Sequence, residues 1–257
     1  MSKIQAAFKN KKLFIPYITV GDPDLNSTKN FILALQEAGA GLIELGIPFS
    51  DPVAEGPVIQ RANERAMTNN ITPEDIFKML ESIKHEIKVP LAFLTYLNPV
   101  LNYGYDNFFK RCTEVGVAGI ITPDLPFEEH SEIKNFTDKH NIDIITLASP
   151  TSSNERLEKM AKAARGYIYL VSSMGVTGER NVITTDIKAI TSEIKKYTDV
   201  PVAVGFGIST PEQARDISKA ANGIIVGSAI VKLIEAHGTK AAPHIAAYTQ
   251  NMVNAIT

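Results

Sequence analysis

The chain has 257 residues, 44% hydrophobic and 21% charged, so it can bury a sizeable core and reads as globular. Its 26 basic and 28 acidic residues leave a formal charge of −2 with no long run of either sign, which argues against nucleic acid as a partner. Cys112 is the only cysteine, so no disulfide framework forms within the chain, and no apolar stretch approaches the ~18 residues of a membrane span; the expectation is a cytoplasmic protein with no membrane partner.

The N-terminal MSKIQAAFKNKK is basic and lacks the apolar core of a signal peptide. Beyond it, short β-branched runs recur at 13–20, 41–46, 89–96, 117–122, 142–149, 166–172, 200–206 and 222–227. Each is nearly continuously apolar, the pattern of parallel strands covered on both faces. Helix-period stretches separate them. NSTKNFILALQEAG has Asn26 or Ser27 as its N-cap and Gly39 just past its end, and further stretches span 73–87, 105–115, 128–139, 153–163 and 210–220. This alternation predicts an α/β chain of βαβ units. Eight strands favour a single-domain (β/α)8 TIM barrel over residues 1–257, with an extra N-terminal helix; a doubly wound open sheet is the alternative.

Two loops are long: IPFSDPVAEGP after the second run and SMGVTGERNVITTD after the sixth. Both leave the C-terminal ends of strands, where barrel enzymes carry their chemistry. GFGIST (205–210) follows the seventh run and GSAIV (227–231) the eighth, each with a helix pattern just beyond. Glycine allows close backbone approach to an anion, and a helix start favours negative charge, so the two loops predict a phosphate cradle. Gly178 adds a third backbone donor. The ligand is expected to be a small phosphorylated metabolite.

ELGIPFSDPVAEGP (44–57) places three carboxylates among three prolines. Glu44 alternates with Leu42 and Gly46 on one strand face, while Ile43 and Leu45 face the helix layer, so Glu44 points into the barrel near its mouth. Burial there would raise its pKa towards neutrality, as suits a group that gives and takes a proton. A structural ion pair is the plainer alternative, although no strand carries a lysine or arginine to form it. Glu55 sits on a loop stiffened by Pro52 and Pro57. Asp51 is either a working acid or the holder of a turn, and the turn role is preferred. A Schiff-base lysine is absent from the eight runs, the five histidines fall in helix-like stretches, and Cys112 is misplaced for a nucleophile. Cofactor-free acid–base chemistry on a phosphate ester remains.

PYITVGDP (16–23), ELGIPFSDPVAEGP, GYIYLVS with GVTG (166–178), GFGIS (205–209) and GSAIV stand in an order that resembles the tryptophan synthase alpha subunit family, almost from end to end. The resemblance implies retro-aldol cleavage of indole-3-glycerol phosphate to indole and glyceraldehyde 3-phosphate. It implies a β-subunit partner in an α2β2 assembly, which receives the indole and carries pyridoxal phosphate, leaving this chain without a cofactor or metal. By the same resemblance Glu44 transfers protons and the acid at 55 accepts the indole N–H; the family usually has Asp where this chain has Glu55. Tyr17, Ile59, Leu94, Tyr96, Tyr169 and Phe206 match the indole pocket, and Gly178, Gly207, Gly227 and Ser228 the phosphate site. Thr177 matches the lid threonine, with loop 172–186 expected to be mobile without ligand and to order over substrate. The β-facing surface would include 51–55, 97–104 and 124–129. Phosphosugar isomerases, indole-3-glycerol phosphate synthase-like barrels, and a non-catalytic barrel that only activates its partner are the competing readings.

Overall fold

A computed structural model of the chain describes residues 1–172 and 186–257. The expectations for Thr177, Gly178 and the lid loop therefore lie outside the described residues. The strands are β1 (Leu13–Thr19), β2 (Ile43–Gly46), β3 (Leu91–Leu94), β4 (Val117–Ile121), β5 (Asp143–Ile144), β6 (Thr146–Ala148), β7 (Ile168–Val171), β8 (Val202–Gly205) and β9 (Gly223–Val226). All ladders are parallel, in the order β5-β4-β3-β2-β1-β9-β8-β7-β6. The two ends of that order, β5 and β6, are halves of one stretch separated by Ile145, so the sheet returns on itself as a barrel rather than spreading open. The run expected as one strand over 142–149 divides because strand stagger in a barrel offsets its two neighbours. Asp143 and Ile144 pair with β4, whereas Thr146 to Ala148 pair with β7.

The helices are α1 (Lys3–Ala7), α2 (Leu25–Glu37), α3 (Pro57–Met67), α4 (Pro73–Ile83), α5 (Leu97–Tyr103) and α6 (Tyr105–Val115). After them come α7 (Ser131–Lys139), α8 (Asn154–Ala163), α9 (Ile187–Ile194), α10 (Pro211–Ser218), α11 (Ser228–His237) and α12 (Ala242–Ile256). The N-cap of α2 is Asp24, not Asn26 or Ser27: its carboxylate accepts the Ser27 N–H at 2.7 Å. The α4 helix stops at Ile83, short of the expected 87, where its buried stripe ends. Past it the Gln36 amide holds the Glu86 carbonyl (2.8 Å) and the Lys88 N–H (2.7 Å). The stretch 128–139 is broken at His130, between a short 3-10 turn and α7. His85 and His140 likewise lie in turns at helix ends.

Alternation along the strands divides the core. Phe14, Ile43, Leu45 and Phe93 pack outward under the helices, together with Cys112. Leu13, Ile15, Leu42, Ala92, Tyr167 and Tyr169 pack inside the barrel. The α1 helix joins this inner cluster through Ile4, with Phe8 just beyond its end. Its start is fixed by a capping box in which Ser2 and Gln5 exchange hydrogen bonds. Ile4 is fully buried and lies over Gly119 of β4, where a Cβ would come within 2.6 Å of its Cδ1. We expect Ile4→Ala to cost about 2–5 kcal/mol in urea unfolding, from lost burial plus the cavity left behind. An unchanged midpoint would show that α1 does not seal this end of the barrel.

Candidate active site

A cavity of about 360 Å³ opens at the C-terminal ends of the strands. Of the residues expected at the site, Tyr17, Glu44, Glu55, Ile59, Leu94, Tyr169, Phe206, Gly207, Gly227 and Ser228 line it. Its remaining wall comes from Ile121, Leu147, Val171 and Ile225 on strands and from Ala54, Pro123, Ser149, Pro150, Thr151 and Ile208 on loops. These were not anticipated. Period-2 spacing from Tyr169 and Gly227 points to Val171 and Ile225, but loop residues carry no such signal.

Glu44 is fully buried on β2, in register with Tyr17 of β1 and Ala92 of β3. Its inward face follows from the alternation with Leu42. Among the described residues no lysine or arginine pairs with it. The Tyr167 hydroxyl donates to Glu44 Oε1 at 2.5 Å. Burial pushes the Glu44 carboxyl up to about 8, against the opposing pull of the Tyr167 bond. The Tyr167 phenol is itself driven up by burial and by the nearby Glu44 charge, so it stays a donor. The acid is thus protonated near neutrality, with one oxygen held and the other free for the cavity. Tyr167 was missed from the sequence because Tyr169, two residues on and on the same face, answers the same pattern.

Glu55 is also buried, and a short hydrogen bond from the Tyr96 hydroxyl holds its Oε2. The same hydroxyl accepts the Ala54 N–H at 3.1 Å. The Tyr96 ring stacks on Phe49 with centroids 4.9 Å apart. Gln60, on the first turn of α3, donates to the Glu55 carbonyl at 2.8 Å. Burial raises the Glu55 pKa, while the Tyr96 bond works in the other direction. Tyr96 therefore stands behind Glu55 as its support and is not among the residues lining the cavity, a correction to its expected place in the indole slot. Asp51 is exposed, away from the cavity lining, and accepts the Ser50 hydroxyl at 2.5 Å.

The two expected anion loops differ. Gly227 caps α11 with no side-chain hydrogen bond, so this helix start, where Gly227 and Ser228 line the cavity, carries no side-chain cap, although the Ile230 and Val231 amides bond the Gly227 carbonyl. A Cβ at Gly227 would come within 3.3 Å of the Tyr17 ring, so glycine keeps this approach open. The start of α10 is already closed, because Thr210 and Gln213 form a capping box and Gln213 also accepts the Ser209 N–H at 2.8 Å. That loop offers the cavity Phe206 and Gly207 instead of a helix end. Both have positive φ, 74° and 91°, and the Ser172 hydroxyl holds the Phe206 carbonyl. A non-glycine residue in this region is a strain kept at functional sites.

Two buried carboxyls on separate tyrosine supports, an apolar wall and one open helix start define a barrel enzyme that moves protons on a small anionic, partly apolar substrate. A family model described as tryptophan synthase alpha chain matches residues 4–257. The alpha chain of Lacticaseibacillus casei is 50% identical over 98% of this chain and 94% of that protein, and that of Petrotoga mobilis is 45% identical over 91% of each. The solved alpha chain of Legionella pneumophila superposes with a TM-score of 0.88 at 37% identity, covering 100% of this chain and 97% of that one. Tryptophan synthase of Mycobacterium tuberculosis gives 0.90 at 34%, covering 99% and 98%. The chain belongs to the tryptophan synthase alpha chain family, the lyase that cleaves indole-3-glycerol phosphate. Membership implies a β-subunit partner.

The raised Glu44 pKa carries a stability cost. Between its ordinary value of 4.5 and about 8, the folded chain keeps a proton that the unfolded chain releases. Folding stability therefore falls as pH rises through that window, by up to about 1.4 kcal/mol per pH unit from this group, and levels off above it. Glu44→Gln removes the titration, so its stability advantage over wild type grows from about pH 5 to pH 8. Denaturant melts at a series of pH values measure it; a difference independent of pH would place Glu44 at its ordinary pKa.

Proposed function

We propose that this chain acts as one barrel domain over residues 1–257 in which Glu44 carries both proton transfers of the retro-aldol cleavage. Protonated Glu44 gives its proton to indole C3, forming an indolenine. The resulting carboxylate takes the proton of the adjacent side-chain hydroxyl as the bond from C3 to the glycerol chain opens. The bond's electrons return to the indole ring, the hydroxyl carbon leaves as the aldehyde of glyceraldehyde 3-phosphate, and Glu44 ends protonated as it began. The observation that carries this reading is the buried Glu44 carboxyl, held on one oxygen by Tyr167 and lining the cavity with the other acid.

Glu55 accepts the indole N–H through the oxygen that Tyr96 does not hold, offsetting positive charge as it develops on the ring. The Tyr96 bond favours the ionised form that this role needs. The phosphate rests on Gly227, Ser228 and the start of α11, with Gly207 alongside. Tyr17, Ile59, Leu94, Tyr169 and Phe206 enclose the indole. The β subunit binds over 51–55, 97–104 and 124–129 in an α2β2 assembly and holds the pyridoxal phosphate. In support, Val53 and Leu101 leave large apolar side chains 70% and 55% exposed within two of these segments.

Indole release from indole-3-glycerol phosphate, with and without a β subunit, tests the scheme. Glu44→Gln should lose at least about 100-fold in kcat in both settings, the scale of general acid–base catalysis. Glu55→Gln and Tyr96→Phe should each lower kcat/KM by roughly 10-fold or more, Tyr96→Phe by releasing the acid. Near-native cleavage by Glu55→Gln would remove that residue from the mechanism. A chain that raises its partner's activity yet releases no indole would be an activator only.

A further inference from the structure

The acid loop and the anion cradle are carried by two helices that meet. The α3 helix starts two residues after Glu55, and α11 starts at Ser228. Tyr17, Ile59, Ala62 and Val231 join them in a small apolar cluster, of which Tyr17 and Ile59 line the cavity. On the solvent side the join is ionic. Arg65 of α3 grips Asp22, just past β1, through Nε–Oδ1 at 2.9 Å and Nη2–Oδ2 at 2.8 Å. Its remaining nitrogen, Nη1, donates to Glu235 Oε1 of α11 at 3.0 Å. Arg61, one turn earlier, forks onto the same carboxylate at 2.9 and 3.1 Å.

These contacts are unequal. Arg61 and Glu235 are 48% and 34% exposed, and such pairs contribute little on their own. Asp22 is 1% exposed and depends on the planar fork of Arg65 to keep its charge compensated. Arg65 is thus anchored on a buried group, and what it holds at its other end is α11. A guanidinium suits this because it serves two carboxylates in fixed geometry, which an ammonium does not.

We infer that Arg65 and Glu235 are positioning residues that fix the separation between the acid at 55 and the cradle at 227–228, and so the fit of a substrate that must reach both. The inference rests on the phosphate-ester reading of the cavity. Neither side chain is among the residues lining the cavity; they act through the two helices.

The test uses the full chain with two readouts, indole release and calorimetric binding of indole-3-propanol phosphate, which carries both the indole and the phosphate but lacks the hydroxyl needed for cleavage. Glu235→Gln leaves the Asp22–Arg65 pair intact, so the fold persists. It should raise KM and the indole-3-propanol phosphate Kd together, by roughly 5- to 10-fold, with kcat changed by less than about 2-fold, the pattern of lost uniform binding. Arg65→Lys keeps the charge but loses the fork, and should shift both constants further in the same direction. Glu235→Asp should recover part of the loss. Lys159→Ala, which breaks an exposed pair within α8, should change neither constant. Wild-type KM and Kd in both Glu235→Gln and Arg65→Lys would overturn the positioning role, as would a fall in thermal stability with binding unaltered. A wild-type chain that neither binds indole-3-propanol phosphate nor releases indole would overturn the phosphate-ester reading, and this inference with it.

Discussion

A carboxyl group enclosed by apolar side chains ionises only at a cost, because the surroundings cannot replace the water that would solvate its charge. Glu44 sits under that constraint, between Tyr17, Ala92 and Tyr167, with no cation among the described residues to relieve it. The geometry of the barrel mouth follows from keeping this group neutral yet reachable. The strand face turns it inward, the phenol of Tyr167 fixes one oxygen, and the cavity leaves the other unobstructed. Moving the acid outward would place it under the helices among Ile43 and Leu45, where no substrate reaches.

The second acid meets the same problem by different means. Glu55 lies on a loop rather than a strand, so nothing in the sheet orients it, and the orientation comes from Tyr96 with Phe49 stacked behind. The extra methylene relative to aspartate adds about 1.5 Å of reach. The short Tyr96 contact takes up that length at the carboxylate end, while the Gln60 amide pins the backbone at the other. The cavity thus holds a pair of acids, one strand-borne and one loop-borne, both raised by burial and each held by a tyrosine hydroxyl.

Much of this was readable from the residues. Strands covered on both faces appear as unbroken apolar runs, and period 2 sufficed to turn Glu44 inward, whereas the expected indole pocket came from the family resemblance. What escaped has physical causes. The α3 helix buries Ile59, Ala62, Asn63 and Ala66, only one of them large and apolar, so its stripe is faint. The partnership of Tyr96 with Glu55 spans 41 residues of chain and has no local trace. Tyr167 and Tyr169 share a face, and only depth along the strand separates the one that holds the acid from the one that lines the cavity. The closed start of α10 is a different case: Thr210-Pro211-Glu212-Gln213 has the pattern of a capping box and marks those amides as already engaged.

The divided strand at 143–148 gives the barrel wall a seam. On either side of Ile145 the backbone changes partner, so no residue of that strand is laddered to both neighbours over more than a step. Leu147 and the Ser149–Thr151 loop, which close one side of the cavity, hang from it. The change of partner therefore falls along one meridian of the barrel wall, beside the cavity, while Glu44 and Glu55 are seated on β2 and on the loop after it.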